Sequence, residues 1–282
     1  MTALLPDLKK LFILVYSLTL SCSISAQESP PPIQPVFSDE ALALQLVEAA
    51  PSEASLHALA DILISHALRM DATSRQLTDP TQAESMRELS LEYAWRAVKA
   101  DPNHLAALRF LGSNLASHSD SFSVLAIDLL DRAQNIEYNE NLDFLLASLL
   151  AENDMHDEVL NKLEPLLERQ DFRAGLTEQT EKIAVAMLNN AYLLTGQLER
   201  GKDYFVKAMT TRLATPSDWR ALTQLMAGLG QSSQALSLLS GAMVGLNPES
   251  SEYAQLEEIR LGLKADQLLS QWRMAQTNRA SP

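Results

Sequence analysis

Apolar side chains recur at helical intervals along most of the chain after residue 37. The pattern is clear over residues 38–50 and 53–70, and Ser38 and Ser52 stand where a hydroxyl caps a helix start. Its apolar members are Leu42, Leu46 and Val47, followed by Leu56, Leu59 and Leu63. Alternating runs typical of strands are few, and the chain has only 9 glycines. The pattern therefore predicts an all-α protein.

The clearest organisation is a set of residue types that returns after 34 positions, in residues 182–215 and 216–249. Apolar, small and glycine positions keep the same order in both copies. The first copy contains Val185, Leu188, Asn189, Tyr192, Gly196, Gly201, Phe205 and Ala208, and the second contains Trp219, Leu222, Thr223, Met226, Gly230, Ala235, Leu239 and Ala242. A repeat of this length predicts two helices that stack on the next two.

Local signals mark where these helices end and begin. Gly196 and Gly230 stand where the first helix of each copy must stop, a position that favours a left-handed backbone. Thr215 and Pro216 precede Ser217 and Asp218, so a capped helix is expected to start there. A small residue at Gly201 or Ala235 allows the second helix to approach the first closely.

The two copies resemble the tetratricopeptide repeat (TPR) family. The resemblance implies an α-α superhelix, a TPR-like right-handed solenoid of antiparallel helix pairs. Looser copies lie upstream, with Leu108, Leu111, Gly112 and Leu115 at matching positions in one of them. The family implies a protein-interaction module, and we expect a protein or peptide partner.

We expect a TPR-like helical repeat domain over residues 38–274 and a disordered tail at 275–282. Residues 71–86 are polar and are expected to form a loop inside the first helical pair. Pro165 should kink or end its helix. The segment through Trp272 should be a closing helix that covers the last apolar face.

The first 26 residues have the features of a secretory signal peptide. Lys9 and Lys10 precede a short apolar run, and Ala26 ends an acceptable cleavage site. Residues 27–37 form a Pro-rich linker. Export to the periplasm or extracytoplasmic envelope is the expectation. Two alternatives remain: a retained N-terminal helix, and lipidation at Cys22, whose preceding residues vaguely resemble a lipoprotein box.

The net charge of the chain limits the classes of partner that it is expected to bind. It has 22 basic and 36 acidic residues, a formal net charge of −14, and no concentrated basic stripe. This argues against nucleic acid, whose phosphates an acidic surface repels. Membrane contact is expected only if the N-terminal segment is retained or Cys22 is lipidated. Cys22 is the only cysteine, so the folded body has no disulfide.

No segment carries a convincing catalytic, cofactor or metal motif. Residues 196–203 are nearly a phosphate-binding loop, but Asp203 replaces the required Ser or Thr and a helix precedes the segment. Residues 154–158 hold acidic groups and a histidine, as an ordinary helix start does. Residues 118–121 are too close together to align a hydrolase triad. His57, His66 and His104 are interpreted as isolated surface or packing residues. We therefore expect a non-enzyme that needs no small-molecule cofactor and no metal.

The resemblance also implies a concave groove lined by first-helix positions 2, 5, 9, 12 and 13 of each repeat. The corresponding residues are Arg109, Ser113, Leu145, Leu149, Asn190, Leu193, Arg220 and Gln224. Such a groove suits an extended or helical peptide with apolar anchors and an acidic group, which an arginine binds well. The alternative is that both arginines are merely solvated and both leucines are core. The Lys and Asn carboxylate clamp of chaperone-binding members is absent.

Three function classes follow. The first is an exported, non-catalytic interaction module. The second is a membrane-anchored envelope assembly or scaffolding factor, held by Cys22 or by an uncleaved N-terminal helix. The third is an enzyme that uses the helical body only as a platform.

Overall fold

The computed structural model describes residues 38–118, 122–211 and 214–280, and these ranges are all-α with no strand. The expected signal peptide and linker lie outside the described residues. The helices in chain order are α1 (Ser38–Ala49), α2 (Glu53–Ser74), α3 (Pro80–Ala100), α4 (Leu105–His118), α5 (Ser123–Ile136), α6 (Glu140–Glu152), α7 (His156–Glu168), α8 (Gln170–Ala174), α9 (Glu178–Leu194), α10 (Leu198–Thr211), α11 (Pro216–Gly228), α12 (Ser232–Met243) and α13 (Ser251–Ala280).

The helices form successive hairpins that stack along the chain. The pairs are α2 with α3, α4 with α5, α6 with α7, α9 with α10, and α11 with α12. Helix α1 packs on α2, and α13 packs on both α11 and α12. Helices in extensive contact are never more than three places apart in chain order. That contact pattern is the mark of an all-α superhelix, in which each unit touches only its neighbours.

The small residues of the repeat lie where two helices cross. A methyl group added to Gly201 would lie 2.6 Å from the ring of Tyr192 on the paired helix. At Gly112 the added methyl would lie 2.7 Å from Leu130. Gly196 and Gly230 have φ values of 71° and 74°, so the left-handed turns expected after α9 and α11 are confirmed.

The expected loop at residues 71–86 is wrong. Helix α2 continues to Ser74 and α3 begins at Pro80, which leaves only residues 75–79 between them. The side chain of Asp79 accepts a hydrogen bond from the Thr81 amide. A proline in the first helical position needs no N–H partner, so Asp79 and Pro80 together start a helix.

Two other helices run farther than the sequence indicated. Helix α7 continues through Pro165 and ends three residues later, at Glu168. Leu163, Leu166 and Leu167 are buried on both sides of the proline, and their packing holds this last turn in place. Helix α13 reaches Ala280, beyond the domain boundary expected at residue 274.

The core is continuous along the stack. One buried cluster extends from α1 to α6, a second from α6 to α13, and a third joins α12 to α13. Trp219 is only partly buried, and it packs against both the second and the third cluster. In α13, Leu256, Ile259 and Leu263 are buried and the described side chains after them are largely exposed. Within the described ranges, no helix combines the length and apolarity that crossing a bilayer requires.

Candidate partner-binding face

The helices α9, α11 and α13 present a shared solvent-facing surface. The amide of Asn189 on α9 donates a hydrogen bond of 2.6 Å to the side-chain oxygen of Gln224 on α11. Arg220 on α11 donates to a carboxylate oxygen of Glu258 on α13 at 3.3 Å. Because side chains bridge each helix to the next, the three helices form one continuous surface. We call it the first-helix face; its exposed residues are Ile183, Asn190, Leu193, Leu194, Arg220, Gln224, Glu258 and Leu261.

The first-helix face mixes apolar and amide groups. Leu193 is 36% exposed, Leu194 is 66% exposed and Leu261 is 55% exposed. Asn190 and Gln224 are exposed beside them. Gly228 adds no side chain at the end of α11, and a methyl group there would lie 3.3 Å from Leu198 and 4.0 Å from Leu193. Open apolar surface next to amide groups is what a peptide backbone with apolar side chains needs.

Three exposed apolar residues of this face were missed in the sequence interpretation. They are Ile183, Leu194 and Leu261. The signal was present, because in the 34-residue register Ile183 and Leu194 occupy positions 2 and 13 of the unit 182–215, and Leu261 occupies position 12 of the unit that begins at residue 250. Applying the register to every groove position would have found them.

The predicted groove residues of the N-terminal half are less accessible. Ser113 and Leu145 are partly buried. Leu149 is 3% exposed and belongs to the first core cluster, so its assignment to the groove is wrong. The buried residues and the exposed residues of α6 recur at the same helical spacing, so spacing alone does not distinguish them. This helix packs against α5, α7 and α9.

Both predicted arginines are already bound to carboxylates of this chain. Arg109 donates to the backbone oxygen and to a carboxylate oxygen of Glu137, each at 3.1 Å. Arg220 is paired with Glu258, and its side chain is 53% exposed. An acidic partner group would have to replace these contacts. The polar groups of the face that can still bond a partner are the Asn190 amide and the Gln224 amide nitrogen, since the Gln224 oxygen accepts from Asn189.

A buried ion cluster positions the start of α11. Arg173 on α8 donates to Glu181 on α9 at 2.7 Å and to Asp218 on α11 at 2.8 Å. Asp218 is fully buried and also accepts from the Thr215 amide at 2.9 Å, which completes a capping box. This cluster fixes the first turn of α11, directly before Arg220.

A second polar contact, made by Tyr192, fixes α9 against the neighbouring helices. Tyr192 is fully buried, and its hydroxyl donates to Glu164 on α7. Arg200 on α10 donates to the other oxygen of the same carboxylate at 2.6 Å. Burial raises the pKa of the Tyr192 hydroxyl, and the hydrogen bond to Glu164 raises it further. The phenol therefore stays protonated and acts as a fixed donor between three helices.

No family model matches the chain, and no curated protein matches it. Similar solved structures include YrrB, described as a TPR protein with an unusual peptide-binding site. It is 14% identical with a TM-score of 0.44, and the match covers 79% of this chain and 97% of YrrB. A tetratricopeptide repeat protein from Parabacteroides merdae ATCC 43184 is 14% identical with a TM-score of 0.34, over 80% of this chain and 91% of that one.

The packing of the chain's own units defines its fold. Small residues lie at the helix crossings, left-handed glycines end the first helices, and pairs stack in chain order. The fold is a TPR-like α-superhelix. In this TPR-like chain the near phosphate-binding loop at residues 196–203 consists of the end of the turn after α9 and the first six residues of α10, and a helix precedes it.

The interpretation of His57 and His104 as isolated is wrong. Their ring centroids lie 4.9 Å apart, and both imidazoles contact aspartates. The hairpin of α2 and α3 brings the turn before α4 back to the first half of α2, a tertiary contact that helical spacing does not reveal. His66, in contrast, is a packing residue: it is buried against Tyr93 and contacts Asp39.

Proposed function

We propose that this protein is an exported, non-catalytic interaction module that binds a peptide segment of a protein partner along the first-helix face. The observation that carries the proposal is the exposure of Leu193, Leu194 and Leu261 on one continuous surface of α9, α11 and α13. Exposed large apolar side chains on adjoining helices are characteristic of an interaction site.

The chemistry of the face defines the kind of segment it binds. The three leucines provide shallow apolar contacts for large side chains of a peptide. The exposed amide of Asn190 can donate to and accept from a peptide backbone, and the amide nitrogen of Gln224 can donate to one while its oxygen accepts from Asn189. Arg220 is paired with Glu258, so this part of the face is electrically balanced. The segment we propose is therefore amphipathic, with apolar anchors, and needs no strong charge.

The test is peptide affinity, measured with a matched pair of variants. A peptide selected by phage display on the purified chain is titrated by fluorescence anisotropy. Leu194→Asp, on the face, is expected to weaken its binding by at least about tenfold, since it places a charge where an apolar anchor packs. Leu238→Asp is the control, because Leu238 is 48% exposed but lies on the second helix α12. Equal affinities for the two variants would reject the first-helix face as the site.

Export is proposed from residues 1–26, whose basic start, apolar run and Ala26 site support cleavage. The mass of the N-terminus in the purified native protein tests this. A start at Gln27 is expected. An acylated Cys22 or a retained Met1 would instead favour the alternative, an anchored assembly or scaffolding factor of the envelope.

A further inference from the structure

A cluster of two histidines and two aspartates lies where α2 meets the turn between α3 and α4. His57 and Asp61 are one turn apart on α2, and Asp101 and His104 flank the turn. Nε2 of His104 lies 2.9 Å from Oδ1 of Asp61, and Nε2 of His57 lies 4.0 Å from Oδ2 of the same carboxylate. One ligand atom from each of His57, Asp61 and His104 falls within 4.8 Å of the others.

Asp101 holds His57 in a defined orientation. Oδ2 of Asp101 lies 2.5 Å from Nδ1 of His57, and Oδ1 accepts from the Asn103 amide at 2.9 Å. The carboxylate is thus fixed by the turn and accepts the Nδ1 proton of the imidazole. The lone pair of His57 then lies on Nε2, on the side of Asp61. A carboxylate behind a histidine in this way is the usual outer support of a metal-bound imidazole.

We propose that His57, Asp61 and His104 form a binding site for a divalent transition-metal ion of the zinc class, with Asp101 as the residue that positions His57. Two imidazoles and one carboxylate are ligands that Zn²⁺ accepts, at about 2.0–2.2 Å from each donor atom. Donor atoms around such an ion lie about 3–4 Å apart, and the separations of 2.9 and 4.0 Å to Asp61 are close to the two ends of that range.

The site is open on one side. The side chains of His57 and Asp61 are 58% and 62% exposed, whereas His104 is buried. Three protein ligands leave a fourth position for water or for a group of another molecule. A bound ion would also join α2 to the start of α4. Its ligands Asp61 and His104 are 43 residues apart in the chain.

Metal binding has one local cost. Nδ1 of His104 accepts from the Ala107 amide at 3.3 Å and so caps α4. A neutral imidazole bound to metal through Nε2 carries its proton on Nδ1, and this cap contact is then lost. The contact is long, so the loss is small beside three metal bonds.

The probe is Zn²⁺ added to the untagged full chain after chelator treatment. Calorimetric titration is expected to show one ion per chain, and Zn²⁺ to raise the melting temperature until EDTA reverses the effect. His57→Gln and His104→Gln should each weaken binding at least about tenfold. His156→Gln is the matched control, since His156 also lies beside an aspartate, Asp154 at 3.7 Å, but has no second imidazole in that pair.

Asp101→Asn separates metal binding from folding. It retains all three ligands and the oxygen that accepts from Asn103, and it is expected to weaken Zn²⁺ binding by about 10–100-fold with unchanged helicity by circular dichroism. Co²⁺ bound to the parent should give visible absorption typical of four ligands. If the parent shows no saturable Zn²⁺ binding, or if Asp101→Asn and both histidine variants bind as the parent does, the cluster is only a hydrogen-bonded contact between helices and the metal site is rejected.

Discussion

Single glycines set the distance between paired helices. Gly201 is buried and faces the ring of Tyr192, which has no room to move because it is itself fully buried. Gly241 on α12 is also helical but is exposed, and nothing lies within 4 Å of the position its methyl group would take. The two residues therefore separate the effect of crowding from the effect of glycine on helix stability.

Gly201→Ala is expected to lower the free energy of unfolding by about 1–3 kcal/mol, because the new methyl group overpacks against Tyr192. Gly241→Ala, in open space, is expected to raise it by about 0.5–1 kcal/mol through a less flexible unfolded chain. Urea unfolding of both variants checks this. A gain in stability for Gly201→Ala would show that the two helices do not approach as closely as described.

At the scale of residues, the sequence predicted what depends on neighbours in the chain. Gly196 and Gly230 have the left-handed conformation, and Thr215 forms the cap, because turn chemistry is local. Leu149 was misplaced because spacing alone does not tell which apolar side of a helix is covered. The meeting of His57 with His104 needed the folded hairpin, and no spacing between them indicates it.

Helices are held in register by a few buried polar contacts. The short helix α8 has only five residues, too few to be stable alone, yet Arg173 joins it to α9 and α11. The hydrophobic pattern predicted the long helices but missed the boundary at Asp79 and Pro80, where a polar segment starts a helix. The capping residues determine that boundary, and the polar composition of the segment had suggested a loop instead.

Arg173→Met is expected to lower the free energy of unfolding by about 3–5 kcal/mol, since it removes the cation that lies between Glu181 and the fully buried Asp218. Arg169→Met is the control. Arg169 is a neighbouring arginine with its side chain 42% exposed, paired with Asp171 at 2.9 Å and with Glu140 on α6. Its pairs are exposed or only partly buried, so its loss should change stability less. Equal melting temperatures for the two variants would show that the buried cluster does not hold α8 in place.

At the scale of the whole molecule, the apolar face at the C-terminal end of the helix stack must be covered. Leu239 and Met243 on α12 form a cluster with Leu256 and Ile259 on α13. The closing helix was predicted from the 34-residue phase, but the phase gave no sign of how far the helix would extend past its contacts. After Leu263 its described side chains are largely exposed, so only its first half serves as the cover.

Ending the chain after Pro248 removes α13 and should destabilise the whole array. Each buried Leu or Ile that is lost contributes about 1.5–3 kcal/mol, and the apolar surface left on α12 should promote aggregation. Ending the chain after Ser270 keeps the buried half of α13 and is expected to melt like the parent. Scanning calorimetry with light scattering distinguishes them. If the chain ending at Pro248 stays monomeric with the melting temperature of the parent, neighbouring units do not depend on this cover, and α13 has a role other than closing the stack.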